Sequence, residues 1–195
     1  MRAAVVVFPG SNCDRDLAVA LEKAGADVTM VWHKDTDLPK GLDFVGVPGG
    51  FSFGDYLRCG AIAARSPIMD EVMEHVWRGG FVLGICNGAQ VLVESGLVPG
   101  LENNRVGVAL TDNKRIKQSH VVGVGYYNTW AYLKVSVTPG RCAFTRNLKP
   151  EESINIPLAH GEGRFVIPDE LLEKMISNKQ TVYRYCDKEG NVVLK

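Results

Sequence analysis

Five cysteines occur in the chain, at positions 13, 59, 86, 142 and 186, and one of them has neighbours that could make a thiol reactive. The stretch Gly84-Ile85-Cys86-Asn87-Gly88-Ala89-Gln90 follows an apolar run, Phe81 to Ile85, and opens a short helical pattern, Ala89 to Glu94, closed by Ser95-Gly96. A nucleophile at such a strand-to-helix elbow sits in strained backbone, and glycines two residues before and two after it relieve the crowding. The helix N-terminus supplies positive potential beside a thiolate. The amide of Asn87 faces the place where a tetrahedral oxyanion forms. Gly49-Gly50, after the preceding apolar run, is the natural second donor, because glycine lets a loop backbone approach a ligand closely. An isolated cysteine is ordinarily a small buried apolar residue, so the context singles out Cys86. Cys13 falls in a first-helix turn with nothing beside it to activate a thiol, and Cys59, Cys142 and Cys186 have no motif around them.

The elements that must hold this elbow are readable in the first half. Ala3 to Phe8 is a continuous apolar run of the kind found in strands buried on both faces. Ser11, three residues before Asp14, reads as a capping box; Leu17, Ala20, Leu21 and Ala24 mark one helical face, and Gly25 ends it. Val28 to Trp32 and Asp43 to Val47 read as the next strands. A helix starts at Ser66-Pro67, presents Met69, Val72, Met73 and Val76, and stops at Arg78-Gly79-Gly80. Strands separated by crossover helices predict an α/β fold: a doubly wound, mainly parallel sheet with helices on both faces. In such a sheet, ligands bind at the carboxyl ends of the strands, where both glycine loops fall.

The second half is less regular. Val121 to Tyr127 and Trp130 to Val137 suggest antiparallel strands, Leu171 to Ile176 a helix, and Thr181 to Cys186 with Asn191 to Leu194 a hairpin. There is no repeat, linker or low-complexity tract, so residues 1–195 read as a single domain.

Composition bounds the function. Lys plus Arg and Asp plus Glu both number 22, which gives no electrostatic reason to expect nucleic acid or an anionic membrane as partner. No apolar run nears the roughly 20 residues that span a bilayer. Met1 to Phe8 lacks a cleavage pattern and reads as a strand. Scattered cysteines without a C-x-x-C pair argue against a disulfide framework or a metal site and for a reducing cytoplasm.

The elbow motif resembles the nucleophile motif of class I (triad-type) glutamine amidotransferases. Three longer stretches, Pro9 to Asp16, Pro48 to Arg58 and Ile156 to Arg164, narrow the resemblance to the glutaminase subunits of that family that serve purine synthesis. Related elbow-cysteine proteins, protease-like or stress-response, usually carry histidine or another residue directly after the cysteine and lack the counterparts of Gln90 and Pro48-Gly49-Gly50-Phe51-Ser52. The resemblance implies that Cys86 attacks the side-chain amide of glutamine, releasing ammonia and forming a glutamyl thioester that water hydrolyses. It places Gly49, Gly50, Phe51, Asn87, Gly88 and Gln90 around Cys86, with Gly50 and Asn87 as oxyanion donors and Gln90 among the glutamine contacts. It further implies a large synthetase subunit that uses ATP and Mg to convert formylglycinamide ribonucleotide to the amidine, and a small bridging subunit. The glutaminase subunit itself needs no cofactor and no metal.

The chain departs from the family pattern in one respect. A thiol needs a histidine to carry protons and a carboxylate to orient the imidazole. The family draws both from a His-Pro-Glu segment near its C-terminus, and none occurs in these 195 residues. His160-Gly161-Glu162 has the same spacing but lies in the separate Ile156 to Arg164 motif, so it is not taken as the triad; His160 reads equally as a site or docking contact or as a histidine satisfied in a polar loop. His33, His75 and His120 read as structural or exposed. The chain also ends inside its last predicted strand, at Leu194-Lys195. The expectation is a domain truncated at its C-terminus, a fragment of a longer glutaminase. The alternative is a docking or scaffold form that lacks the triad histidine and glutamate.

Overall fold

Strand β1 (Arg2–Val7) explains the architecture of the first half. Ala3, Ala4, Val5 and Val6 are all fully buried, which requires packed layers on both faces of the strand. Each buried valine contributes about 1.5–3 kcal/mol relative to an exposed one. In the computed structural model, which describes residues 1–101, 103–138 and 140–192, β1 lies inside a parallel sheet of order β2-β1-β3-β4. Its partners are β2 (Asp27–Trp32), β3 (Phe44–Val47) and β4 (Phe81–Gly84).

Alternation along the strands sorts the helices to the two faces. Val5 packs with Leu17 and Ala18 of α1 (Asp14–Lys23). Ala4, Val6, Val45 and Val47 point the other way. They form the main core with Ile68, Met69 and Val72 of α2 (Ile68–Trp77) and with Val91 and Leu92 of α3 (Asn87–Glu94). The doubly wound α/β sheet expected from the sequence is the one found. One local expectation is overturned. Ser11 does not cap α1: its hydroxyl accepts from the Phe8 N–H at 2.9 Å and donates to the Phe8 carbonyl at 2.8 Å. The residue preceding α1 is Cys13, without a side-chain cap. Ser11 is spent on closing the turn that leaves β1, which is the alternative local bonding open to any serine near a helix start.

The chain divides into two compact units, Met1–Ala109 and Leu110–Lys195. In the later residues, β8 (Tyr127–Val135) is flanked antiparallel by β9 (Ser153–His160) and β11 (Tyr183–Cys186). A hairpin joins β6 (Lys114–Lys117) to β7 (His120–Val124), and β5 (Ala109–Thr111) pairs with β10 (Arg164–Val166). Helix α4 spans Asp169–Ser177. The predicted final hairpin is present as far as it is described, with Cys186 bridged to Val192; Val193 to Lys195 lie outside the described residues. His160 ends a strand instead of sitting in a loop. Its Nδ1 lies 2.9 Å from Asn113 Nδ2, which also donates to the His160 carbonyl. Among the described residues, no helix is long and apolar enough to cross a membrane.

His33 is buried in the first unit among the rings of Phe8, Trp32 and Phe53, with Nδ1 3.2 Å from the Ser66 hydroxyl. Burial holds its pKa below the ordinary 6.5; Lys34 adds to this and Asp35 opposes it. The neutral form therefore folds more readily than the imidazolium, and the unfolded chain binds the proton more tightly. Stability is fully present above pH 6.5 and declines as pH falls from there through the lower folded value. The urea midpoint is expected to fall across this window, and His33→Gln, which cannot titrate, is expected to flatten the fall. An unchanged slope in the variant would assign the effect to other groups.

Candidate active site

Three loops meet at the carboxyl ends of β1, β3 and β4. Strand β1 runs through α1 to β2 on one side, whereas β3 leads through α2 to β4 on the other. The chain thus reverses direction between β1 and β3, where ligands bind in open α/β sheets. Backbone hydrogen bonds tie the first two loops together. Cys13 N–H donates to the Gly49 carbonyl at 3.3 Å, Phe51 N–H to Gly10 at 2.8 Å and Phe53 N–H to Pro9 at 2.7 Å. Gly50, at φ +130°, has no room for a side chain: a Cβ would lie 2.4 Å from the Asn12 nitrogen.

The third loop is the elbow. Strand β4 ends at Gly84, Ile85 N–H still pairs with the Val47 carbonyl at 3.0 Å, and Cys86 then takes φ 54°, ψ −113°. That conformation costs a non-glycine residue on the order of 1–3 kcal/mol and persists only when its surroundings impose it. Here the imposition is visible. The Cys86 carbonyl accepts from Ala89 and Gln90 as α3 begins, and Gly88 is pressed against β3, where a Cβ would come 2.0 Å from the Val47 carbonyl oxygen. A Cβ on Gly84 would in turn lie 2.6 Å from the Gly88 oxygen. The two glycines of the motif are needed because two backbones touch there. The result is an exposed thiol at the N-terminus of an eight-residue helix.

The glycine loop lies directly on this elbow. A Cβ on Gly49 would be 3.3 Å from the Cys86 Cβ and 3.8 Å from the Cys13 sulfur. Among the described residues, no hydrogen bond occupies the backbone amides of Gly50 and Asn87. The Phe51 amide is committed to Gly10, and its ring is exposed. The Asn87 side chain is only 2% exposed: its Oδ1 accepts from Ser52 N–H at 3.0 Å, and its Nδ2 donates to Asp55 Oδ1 at 3.0 Å and Gln90 Oε1 at 2.9 Å. Gln90 is therefore tied into the same cluster. Farther along, Arg58 makes a bidentate pair with Glu94 at the end of α3, which raises the guanidinium pKa through that hydrogen bond. Ser52, Asp55 and Glu94 were not singled out from the sequence. Ser52 and Asp55 both lie within the Pro48 to Arg58 stretch, which is the sequence signal that points to them.

No hydrogen bond joins the Cys86 thiol to a histidine among the described residues. His33 is committed to Ser66, His75 contacts the Phe81 carbonyl at 3.2 Å, His120 the Gln118 carbonyl at 2.8 Å, and His160 Asn113.

A parallel sheet wound on both faces, with a cysteine elbow entering a helix at its carboxyl edge, defines the glutamine amidotransferase-like α/β class. The model of the CobB/CobQ-like glutamine amidotransferase domain matches residues 1–195. This chain belongs to that family. Among curated relatives, phosphoribosylformylglycinamidine synthase subunit PurQ of Roseobacter denitrificans is 52% identical over 96% of this chain and 76% of its own length. The same subunit of Rhodopseudomonas palustris strain BisB18 is 47% identical over 98% and 75%. Among solved structures, that of PurLQS from Thermotoga maritima aligns with TM-score 0.71 and 36% identity over 98% of this chain and 79% of that one. A glutamine amidotransferase from the same organism, 15% identical with TM-score 0.54, shares the fold.

Proposed function

We propose that the chain is the glutaminase subunit of phosphoribosylformylglycinamidine synthase in purine biosynthesis, with Cys86 as its nucleophile. The single observation that carries the site assignment is the exposed Cys86 at φ 54° on the N-terminus of α3, with the Gly49-Gly50 loop packed against it. The sulfur attacks the side-chain carbonyl carbon of glutamine, and the unoccupied amides of Gly50 and Asn87 receive the developing oxyanion. The C–N bond breaks, and the amide nitrogen takes up the proton given up by the Cys86 thiol and leaves as ammonia. A glutamyl thioester remains on Cys86 until water hydrolyses it to glutamate and restores the thiol. Gly49, Phe51, Gly88 and Gln90 shape the surface around the glutamine.

The partners that fit this reading are a large synthetase subunit, which uses ATP and Mg to make the amidine from formylglycinamide ribonucleotide, and a small bridging subunit, in the cytoplasm. The glutaminase chemistry requires no metal or cofactor.

The test uses residues 1–195 as they stand. A glutamine chloroketone is expected to label Cys86 saturably. Steady ammonia release is expected to stay roughly 1,000-fold or more below an ordinary glutaminase, even with the synthetase added, because these residues hold no His-Pro-Glu segment to move the protons. Rapid Cys86-dependent ammonia release would overturn the second expectation, and absence of saturable labelling would overturn the assignment itself.

A further inference from the structure

The amide of Asn87 is part of the proposed oxyanion site, but its side chain points elsewhere and has a separate task. We propose that the Asn87 carboxamide is a positioning residue that fixes the loop carrying Gly50 at its working distance from the elbow carrying Cys86. This rests on the glutaminase reading above.

The loop needs such a clasp. Between Gly50 and Leu57, Phe53, Gly54, Asp55 and Leu57 all have positive φ, at 54°, 67°, 56° and 71°. Three of these are non-glycine residues in a conformation they seldom adopt, so the segment would not hold this shape from its own preferences. Asn87, by contrast, is the first residue of α3 and is held by the helix and by the close Gly88–Val47 approach. Its carboxamide joins the rigid part to the strained part. One end takes the Ser52 N–H, two residues beyond Gly50, and the other reaches the Asp55 carboxylate. The third bond, to Gln90 one helical turn on, fixes the side-chain rotamer.

The chemistry of the pair explains why this side chain is asparagine. Ser52 offers a donor and Asp55 an acceptor, so residue 87 must accept on one side and donate on the other, as the carboxamide of asparagine does. An aspartate there would set two carboxylates face to face. A leucine of similar volume would leave the Ser52 amide without its acceptor and take one donor from the Asp55 carboxylate, and a buried amide left without a partner is costly. In either case the loop is expected to move, and with it the Gly50 amide. Cys86 keeps its exposure and its place on α3.

The experiment separates loop positioning from thiol reactivity and from folding. Two reagents are applied to residues 1–195: a glutamine chloroketone, whose adduct forms through an oxyanion, and iodoacetamide, which reports the thiol alone. Asn87→Asp is expected to lower the limiting rate of chloroketone labelling roughly 10- to 100-fold, the scale of a misplaced oxyanion donor, with half-saturation little changed. The iodoacetamide rate is expected to stay within about twofold, since one carboxylate away from the sulfur shifts exposed-group electrostatics only modestly. Asp55→Asn added to Asn87→Asp restores an acceptor opposite a donor and is expected to recover most of the loss. Both variants are compared at a temperature where each retains the wild-type far-ultraviolet circular dichroism. Equal limiting rates for wild type and Asn87→Asp would overturn the proposal, as would a parallel fall with both reagents or no recovery in the double variant. A wild-type chain that is not labelled saturably would instead remove the glutaminase reading on which it rests.

Discussion

Cys86→Ser is expected to lower labelling by the glutamine chloroketone by at least about 1,000-fold, a barrier increase of about 4 kcal/mol. A serine hydroxyl is a weak nucleophile unless a base takes its proton, and among the described residues no histidine is hydrogen-bonded to position 86. The substitution exchanges one chalcogen for another at an exposed site, so the melting temperature is expected to change by no more than about 2 °C. The loss is therefore chemical. Cys13 provides the internal control: its sulfur flanks the same glycine loop, yet it sits before α1 without an elbow. Cys13→Ser is expected to leave labelling within about twofold of wild type, as surface substitutions usually do. Peptide mapping locates the adduct. An adduct on Cys13, or undiminished labelling of Cys86→Ser, would sink the assignment of the nucleophile.

With ammonia supplied directly, the synthetase is expected to work equally with either variant, because ammonia enters after the step that Cys86 performs. A fall in ammonia-supported synthesis with Cys86→Ser would point to a docking defect.

How much of this was legible depends on how local each feature is. The parallel sheet could be read because its strands are short apolar runs bounded by turn residues, as at Asp43 to Val47 against the observed and wholly buried Phe44–Val47. The elbow could be read because strand, nucleophile and helix follow one another directly between Phe81 and Glu94. In the later residues, pairing between distant segments decides the structure. Lys114–Lys117 is exposed at every position and has no buried face to announce it as a strand. Ser153–His160 contains Pro157, yet it pairs along eight residues with β8. A proline there argues against a strand from the sequence alone, but an edge strand can accommodate it, and β9 is at the edge of its sheet.

The same distinction divides the site. The Gly-x-Cys-x-Gly spacing is local. The Asn87 clasp joins residues 35 and 32 positions apart in the chain, and no periodicity connects them. Ser11 shows the opposite failure: a correct short-range pattern was assigned to the wrong partner, because a serine near a helix start can bond backward into the turn as well as forward into the helix.

Gly88→Ala tests whether backbone contact holds the elbow in place. Helix propensity alone predicts a gain of up to about 1 kcal/mol, since Gly88 lies inside α3 and alanine is the better helix former. The packing reverses the sign. The added carbon would lie 2.0 Å from the Val47 carbonyl oxygen, 2.6 Å from its carbon and 2.8 Å from the Pro48 oxygen, all backbone atoms where β3 ends. None can swing away as a flexible side chain would. Relief requires α3 to move off β3 as a body, opening the contacts of Val91 and Leu92 with Val45 and Val47 in the main core. The expected net loss is about 3 kcal/mol or more, against a typical domain stability of about 5–15 kcal/mol. It should appear as a fall in melting temperature of about 6–12 °C. Labelling of the fraction that still folds is expected to drop as well, because Gly49 and Cys86 are held 3.3 Å apart, Cβ position to Cβ, by this same contact. Gly161→Ala supplies the contrast: its Cβ would meet nothing closer than 3.8 Å, so its cost is expected to stay below about 1 kcal/mol. A Gly88→Ala chain as stable as wild type would mean that α3 can slide on the sheet, and the positive φ of Cys86 would then need another cause.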